Sequence, residues 1–393
     1  MEQDKDFTQS GDEDFPWELG VFDAHCHPTD TMLSIDEIST MKTQTLAIMA
    51  TRGEDQELVA QIASKFNGQG EGSREATSER IRPCFGWHPW FSHQILDDIT
   101  RPTSTMSKEE HYKAVLTPAF NDQNLLRDLP EPRSLSSLIS DIRSNLIKHP
   151  KALVGEIGLD RAFRIPNAWL PHELESRDPS LTPGSREGRS LSPYRVQPAH
   201  QKAIFKAQLR LAGEMRRPVS IHSVQAHGAV FEVLRELWAG HERKVISNKL
   251  RKRRPSAEDA HDQSEDELDK STHKTRNHLP PLPFPPKICM HSYSGPPEPL
   301  RQFLHPSTPA EIYFSFSHVI NFTGDSLVKV NEVIKMLPED RILVESDLHC
   351  AGKQMDDLLE QAVRRICSVR GWSLRDGVRI LGDNWRRFIS EEE

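Results

Sequence analysis

Six side chains of metal-ligating type recur along this chain of 393 residues, each near the C-terminal end of a short apolar run. Imidazole and carboxylate groups suit zinc, and also manganese or magnesium when water completes the shell. Side chains at the C-terminal ends of parallel strands meet at the mouth of an α/β barrel, where catalytic groups lie. The six are His25 and His27 in VFDAHCHP, Glu156 in ALVGEIGLD, His222 in PVSIHS, His291 in KICMHSYSG and Asp347 in ILVESDLH.

Six ligands exceed the needs of one tetrahedral ion but supply two ions if a carboxylate bridges them. Two ions about 3.5–4 Å apart can stabilise both oxygens of an in-line displacement at phosphorus. We expect Glu156 to be the bridge. Strand alternation predicts that Glu156 faces the barrel interior together with Val154, and Asp347 together with Glu345. The alternative is a set of hydrogen-bonded core residues, but unpaired buried charges are costly, and so many converging favour metals.

Short apolar runs alternate with patterns of helical period, which is typical of parallel α/β folds. Eight such units predict a closed (β/α)8 TIM barrel, with an open doubly wound sheet as the alternative. The predicted strands lie near 20–26, 44–50, 81–87, 152–157, 218–222, 286–291, 311–316 and 341–346. Helices are less clear after the first and sixth strands, and the others are predicted at 54–66, 134–148, 199–215, 228–239, 325–336, 354–368 and 373–389.

Four stretches do not fit the alternation. Residues 1–15 read as a disordered tail before a barrel that spans 16–393. Insertions at about 89–133 and 161–197 follow strands, so we expect them on the catalytic face, where they shape or cover the mouth. The insertion at about 241–285 precedes the sixth strand, which places it on the opposite face. Its charged, Pro-rich composition predicts disorder.

Composition limits the classes of function. The net charge of −8 and the pI near 6.1 argue against a protein whose whole surface clamps nucleic acid. Five cysteines without a CxxC pair indicate a reducing compartment, and no run approaches the roughly 18 apolar residues of a membrane span. We therefore expect a cytoplasmic protein that uses no membrane. The basic run KLRKRR leaves nuclear import open.

The sequence blocks FDAHCH, GWHP, GEIGLD, MHSYSG and VESD stand in the order of a known family. The chain resembles the TatD family of metal-dependent deoxyribonucleases, within the amidohydrolase-like superfamily. The resemblance implies two divalent metals (Zn, Mn or Mg) and a base, Asp347, that orients or deprotonates the attacking water. It also implies that His88 of GWHP faces the substrate phosphate. The implied ligands are His25, His27, Glu156 and Asp347 for one metal and Glu156, His222 and His291 for the other.

The substrate-facing positions depart from the family pattern. Val224 stands where the family has an arginine, and Leu348-His349 replaces an Ala-Pro dipeptide. One of the arginines in the second insertion could supply the missing phosphate contact: Arg161, Arg164 or Arg195. These departures are similar to a diverged fungal branch described as interacting with a tetratricopeptide-repeat subunit of the anaphase-promoting complex, which implies a protein partner.

The function predicted from these observations is two-metal phosphodiester hydrolysis on DNA, with Asp347 and Glu156 as catalytic residues. A narrow barrel mouth favours strand ends, as in an exonuclease. One alternative is ester or amide hydrolysis by the same centre. Relatives of that type often bridge their metals with a carbamylated lysine on the fourth strand, where this chain has Glu156. Another alternative is a barrel that acts mainly as an interaction partner.

Overall fold

Eight parallel strands form one sheet whose spatial order equals the order in the chain. The computed structural model describes residues 13–68, 79–100, 106–175, 177–245, 281–324 and 327–390. The strands are β1 (Phe22–Cys26), β2 (Thr45–Met49), β3 (Ile81–Phe85), β4 (Leu153–Asp160), β5 (Val219–Val224), β6 (Lys287–Met290), β7 (Glu311–Ser317) and β8 (Ile342–Glu345).

The first and last strands meet at the mouth. Asp347 N donates to His25 O at 3.0 Å, and His27 N donates to Leu348 O at 2.7 Å. The buried carboxylate of Asp23 on β1 also accepts from Ser346 N at 3.0 Å. These contacts exclude the open doubly wound sheet, whose first and last strands would not be neighbours, and confirm the predicted TIM barrel.

The helices lie between the strands and bury one apolar stripe each, as residues three and four apart share a helix face. After β1 the chain forms only 3-10 turns, and after β6 a helix of four residues, where the sequence pattern was weakest. The helices are Gly53–Asn67, Lys108–Val115, Gln123–Asp128, Leu135–Lys148, Pro171–Leu174, Pro198–Glu214, His227–Trp238, Leu300–Phe303, His318–Asn321, Leu327–Met336, Lys353–Arg370 and Leu374–Ile389.

Strand residues divide between two apolar layers, one inside the barrel and one under the helices. Leu153 packs in the inner cluster, whereas Val154 packs in the outer one. The prediction that Val154 shares the interior face with Glu156 is therefore wrong. The reason is a register irregularity between Val154 and Ile157, which interrupts strict alternation just before the ligand.

The first two insertions fold against each other into a small unit that we call the cap lobe (residues 89–100, 106–133, 161–175 and 177–197). Leu116–Thr117 pairs antiparallel with Arg195–Val196, which joins the two insertions. The lobe has an apolar cluster of its own, separate from both barrel layers. Its members are Tyr112, Val115, Leu116, Phe120, Leu125, Leu129, Ile165, Tyr194 and Val196.

Most of the other two irregular stretches lies outside the described residues, namely 1–12 of the predicted tail and 246–280 of the third insertion. Residues 13–15, which the sequence assigned to the tail, lie against the last helices: Arg364 donates to Glu13 O at 2.8 Å. Residues 281–285 at the end of the third insertion are described, and Leu282 N lies 3.4 Å from Gly213 O. Within the described part of the chain, no helix combines the length and apolarity that crossing a bilayer requires.

Candidate metal centre

The six predicted ligands converge at the barrel mouth around the carboxylate of Glu156, which is 2% exposed. Its two oxygens face different histidines. Oε2 lies 3.4 Å from Nε2 of both His25 and His27. Oε1 lies 2.8 Å from His222 Nδ1 and 2.8 Å from His291 Nε2. The carboxylate therefore stands between two pairs of imidazole nitrogens, which is the placement that a bridging ligand requires.

Asp347 lies beside His25 and His27, on the same side of the Glu156 carboxylate. Its Oδ1 lies 3.5 Å from His27 Nε2 and 4.0 Å from His25 Nε2. The residue follows β8 with φ of 55°, in the left-handed region that aspartate tolerates better than most residues. This backbone turn directs the carboxylate into the mouth instead of continuing the strand.

The donor atoms fit metal ions. Ligands about 2.0–2.2 Å from one tetrahedral ion lie roughly 3.3–3.6 Å apart. His25, His27 and Asp347 form one group whose ligand atoms lie within 4.8 Å of one another. On the other side of Glu156, His222 Nδ1 lies 3.2 Å from His291 Nε2. The Nε2 atoms of His25 and His27 are 3.1 Å apart, slightly closer than two ligands of one tetrahedral ion. The residues present therefore fit divalent cations.

The remaining nitrogen of three histidines faces a polar group that orients the ring. His25 Nδ1 lies 2.8 Å from Ser220 Oγ on β5. His222 Nε2 lies 3.1 Å from Asp160 Oδ2 at the end of β4. His291 Nδ1 lies 3.5 Å from Glu345 Oε1. Asp160 and Glu345 thus lie directly behind the predicted ligands.

Charges in the centre favour an ionised Glu156. Burial alone would raise its pKa, but the surrounding His88, His291 and His25 hold the pKa well below its ordinary value. Burial would also raise the pKa of Asp160, yet the hydrogen bond and charge of His222 lower it to about 2. The surrounding histidines therefore favour the anionic form of both buried carboxylates.

His88 was predicted to contact substrate, and its side chain does line the mouth. The ring is turned toward the Glu156 carboxylate, with Nε2 at 3.2 Å from Glu156 Oε1. Its Nδ1 accepts from Trp90 N at 3.1 Å, so the proton resides on Nε2. Burial lowers the pKa of His88 to about 4. The substrate contact of His88 stays a prediction.

The ligands lie at the base of an open cavity of about 400 Å³. Val224 and His349, the two departures from the family pattern, both line it, as does Arg52. Arg161 lines a different cavity, together with Pro198 and Lys202 at the start of helix Pro198–Glu214. Arg161, Arg164 and Arg195 are absent from the described lining of the mouth, so the suggestion that one of them replaces the arginine at position 224 is not supported there.

Arg52 is a functional candidate that the sequence analysis missed. It lies three residues after the end of β2, so the rule that located the ligands near strand ends points to it as well. Its guanidinium lies 2.8 Å from Asp30 and 3.3 Å from Asp55, and it donates to Thr182 O at 3.2 Å. Arg52 therefore attaches the second insertion to the barrel mouth.

An eight-stranded barrel with a histidine–carboxylate cluster at its C-terminal mouth is the architecture of a metal-dependent hydrolase. Residues 22–390 match the family described as TatD related DNase. The chain is 34% identical to the Cut9-interacting protein scn1 of Schizosaccharomyces pombe, covering 94% of this chain and 98% of that protein. It is 28% identical to an uncharacterized deoxyribonuclease of Saccharomyces cerevisiae, covering 83% of each.

A solved TatD-family hydrolase from Entamoeba histolytica has a similar fold, with a TM-score of 0.51 at 10% identity, over 94% of this chain and 97% of that one. The family match covers nearly the whole chain. The protein therefore belongs to the TatD-related deoxyribonuclease family.

Proposed function

We propose that this protein hydrolyses phosphodiester bonds at DNA ends with two divalent cations of the Zn, Mn or Mg type. The observation that carries the proposal is the Glu156 carboxylate. Its Oε2 faces His25 and His27, and its Oε1 faces His222, His291 and His88. His25, His27, Glu156 and Asp347 would hold one cation, and Glu156, His222 and His291 the other. Bound cations would lower the pKa of water and offset charge on the phosphoryl oxygens.

Asp347 is the group best placed to accept a proton from the attacking water. Its side chain keeps 15% exposure, whereas those of His25 and Glu156 keep 0% and 3%. Ser292 Oγ lies 3.4 Å from Asp347 Oδ2, which leaves Oδ1 on the ligand side. In the proposed step, a water oxygen bonds to phosphorus, Asp347 accepts the water proton, and the bond from phosphorus to the leaving oxygen breaks. That oxygen then takes up a proton.

Elemental analysis combined with cleavage of end-labelled single-stranded DNA tests this proposal. We expect close to two equivalents of metal in the purified protein and metal-dependent release of terminal nucleotides. His222→Ala should abolish cleavage, whereas the exposed His305→Ala should not. Equal cleavage by the wild type and His222→Ala would refute the assignment.

Hydrolysis of an ester or amide is the second candidate function, favoured by the lack of an available cation at the mouth. Among the described residues that line this cavity, Arg52 is the only arginine or lysine, and it is paired with Asp30 and Asp55. A neutral substrate would not need such a cation. Turnover of esters or amides without turnover of phosphodiesters would replace the first proposal by this one.

A protein partner is compatible with either chemistry. We propose a tetratricopeptide-repeat subunit of the anaphase-promoting complex, because a relative covering nearly the whole chain is named for its interaction with Cut9. Co-purification of that subunit with wild type and with His222→Ala tests the idea. Binding by both proteins would separate the interaction from catalysis, and binding by neither would exclude it.

A further inference from the structure

A second cavity of about 370 Å³ adjoins the metal centre, between the two insertions of the cap lobe. Trp90, Phe91 and Ser185 line both this cavity and the one at the barrel mouth. A ligand that extends beyond the metals on this side therefore enters the cap lobe. A volume of this size falls within the range of small-molecule sites.

Aromatic faces line the second cavity. Trp90 keeps 38% exposure, and its ring stacks on Phe163 with centroids 4.8 Å apart and planes 11° apart. Trp169 lies elsewhere in the same lining. The Trp90 ring is held by a hydrogen bond from its Nε1 to Asp160 Oδ2 at 2.6 Å, the same oxygen that faces His222. Asp160 therefore connects Trp90, in the wall of the second cavity, to the predicted ligand His222.

Cationic side chains accompany the aromatic ones. Arg189 lies over the Trp169 ring, 4.8 Å from its centroid, and pairs with Asp128 at 3.3 Å. Arg186 is exposed, and its guanidinium contacts the Arg189 carbonyl through Nε at 2.8 Å. Among the described residues, no carboxylate lies within ion-pair distance of Arg186. It is therefore available to an anionic ligand, unlike Arg52 at the barrel mouth.

We propose that this cavity is a subsite of the cap lobe for the nucleotide next to the cleaved phosphodiester of a single strand. The base stacks on the Trp169 ring, and Arg186 contacts the neighbouring phosphate. Stacking on aromatic rings beside arginines is the usual way in which proteins bind unpaired strands. The inference rests on the proposed phosphodiesterase function and assigns to the lobe the phosphate contact that Val224 cannot make.

Steady-state kinetics on two substrates tests the subsite. One is a short single-stranded oligodeoxynucleotide, and the other is bis(p-nitrophenyl) phosphate, which has neither a second nucleotide nor a second phosphate to occupy the subsite. Trp169→Ala and Arg186→Ala should raise KM for the oligonucleotide roughly ten-fold, as expected for one lost stacking or phosphate contact, and leave kcat/KM for the small diester unchanged. Trp169→Phe should restore most of the affinity. Arg164→Ala, an exposed arginine of the same insertion outside both cavities, should change neither substrate.

Unchanged oligonucleotide KM in both variants, or equal losses on both substrates, would overturn the subsite. Fluorescence anisotropy of a labelled oligonucleotide separates this failure from that of the proposed function. Binding that weakens in Trp169→Ala supports the subsite. If wild type binds the oligonucleotide in this way but cleaves no diester, only the proposed phosphodiesterase activity is refuted. Binding equal in wild type and both variants overturns the subsite. Displacement of the oligonucleotide from wild type by an acidic peptide at equal concentration would overturn it in favour of a protein ligand.

Discussion

The barrel and the cap lobe build their cores in opposite ways. In the barrel, each strand is a local apolar run, and consecutive strands are neighbours in the sheet. In the lobe, Tyr112 and Phe120 of one insertion pack against Tyr194 of the other, far along the chain. Local patterns therefore reveal the barrel, whereas the lobe exists only through contacts between distant segments. The comparison also separates chemistry, which belongs to the barrel, from substrate selection, which we assign to the lobe.

Glu156→Gln should produce the largest effect, because it removes the bridging charge from the barrel centre while keeping the shape of the side chain. We expect kcat for phosphodiester cleavage to fall about a thousand-fold and the metal content to drop. The matched control is Glu131→Gln in the lobe, where the carboxylate is 82% exposed. Retained metal content and activity in Glu156→Gln would show that the carboxylate does not bridge.

Phe120→Ala should damage the lobe and spare the barrel. Phe120 is 4% exposed, and its ring lies 4.9 Å from that of Tyr194. Loss of this ring should cost about 3–5 kcal/mol of local stability. Hydrogen exchange should then accelerate in the lobe while metal content stays unchanged, with the half-exposed Leu170→Ala as control. Loss of metal in Phe120→Ala would mean that the two regions are one cooperative unit.

Asp160→Asn should affect the link between the two regions, because one Asp160 oxygen faces both His222 Nε2 and Trp90 Nε1. Removing such a partner behind a ligand typically costs about 10–100-fold in metal affinity or activity. Metal titration measures the effect, and the exposed Asp178→Asn of the same insertion serves as control. Unchanged metal affinity would show that Asp160 only stabilises its own turn, where its side chain accepts a hydrogen bond from Phe163 N at 2.8 Å.

Val224→Arg should have the smallest effect, and a favourable one. The substitution returns a cation to the barrel mouth, where the side chain at position 224 lines the cavity. A charge-assisted contact to phosphate should lower KM for the small diester about five-fold. Val224→Gln, which is polar but uncharged, separates the effect of charge from that of polarity. No change in KM would indicate that the substrate phosphate does not approach this position.

Much of the barrel could be predicted because its signals are local. The strand at 311–316 and the helix at 373–389 match Glu311–Ser317 and Leu374–Ile389, since an apolar run or a helical stripe depends only on near neighbours. Val154 was misplaced because a register irregularity has no signature in residue types. Arg52 was missed because a guanidinium is not a metal ligand, so the pattern of ligand types at strand ends does not include it.

The order of apolar runs and the residues at their ends were sufficient to predict the barrel and to select six side chains that meet at its mouth. Strand period and the C-terminal placement of catalytic groups are properties of short segments, so residue types encode them. The pairing of Leu116–Thr117 with Arg195–Val196, the attachment of Arg52 to the second insertion and the resulting second cavity were decided only by the tertiary structure. Such contacts depend on how distant segments pack against each other, which no local pattern specifies.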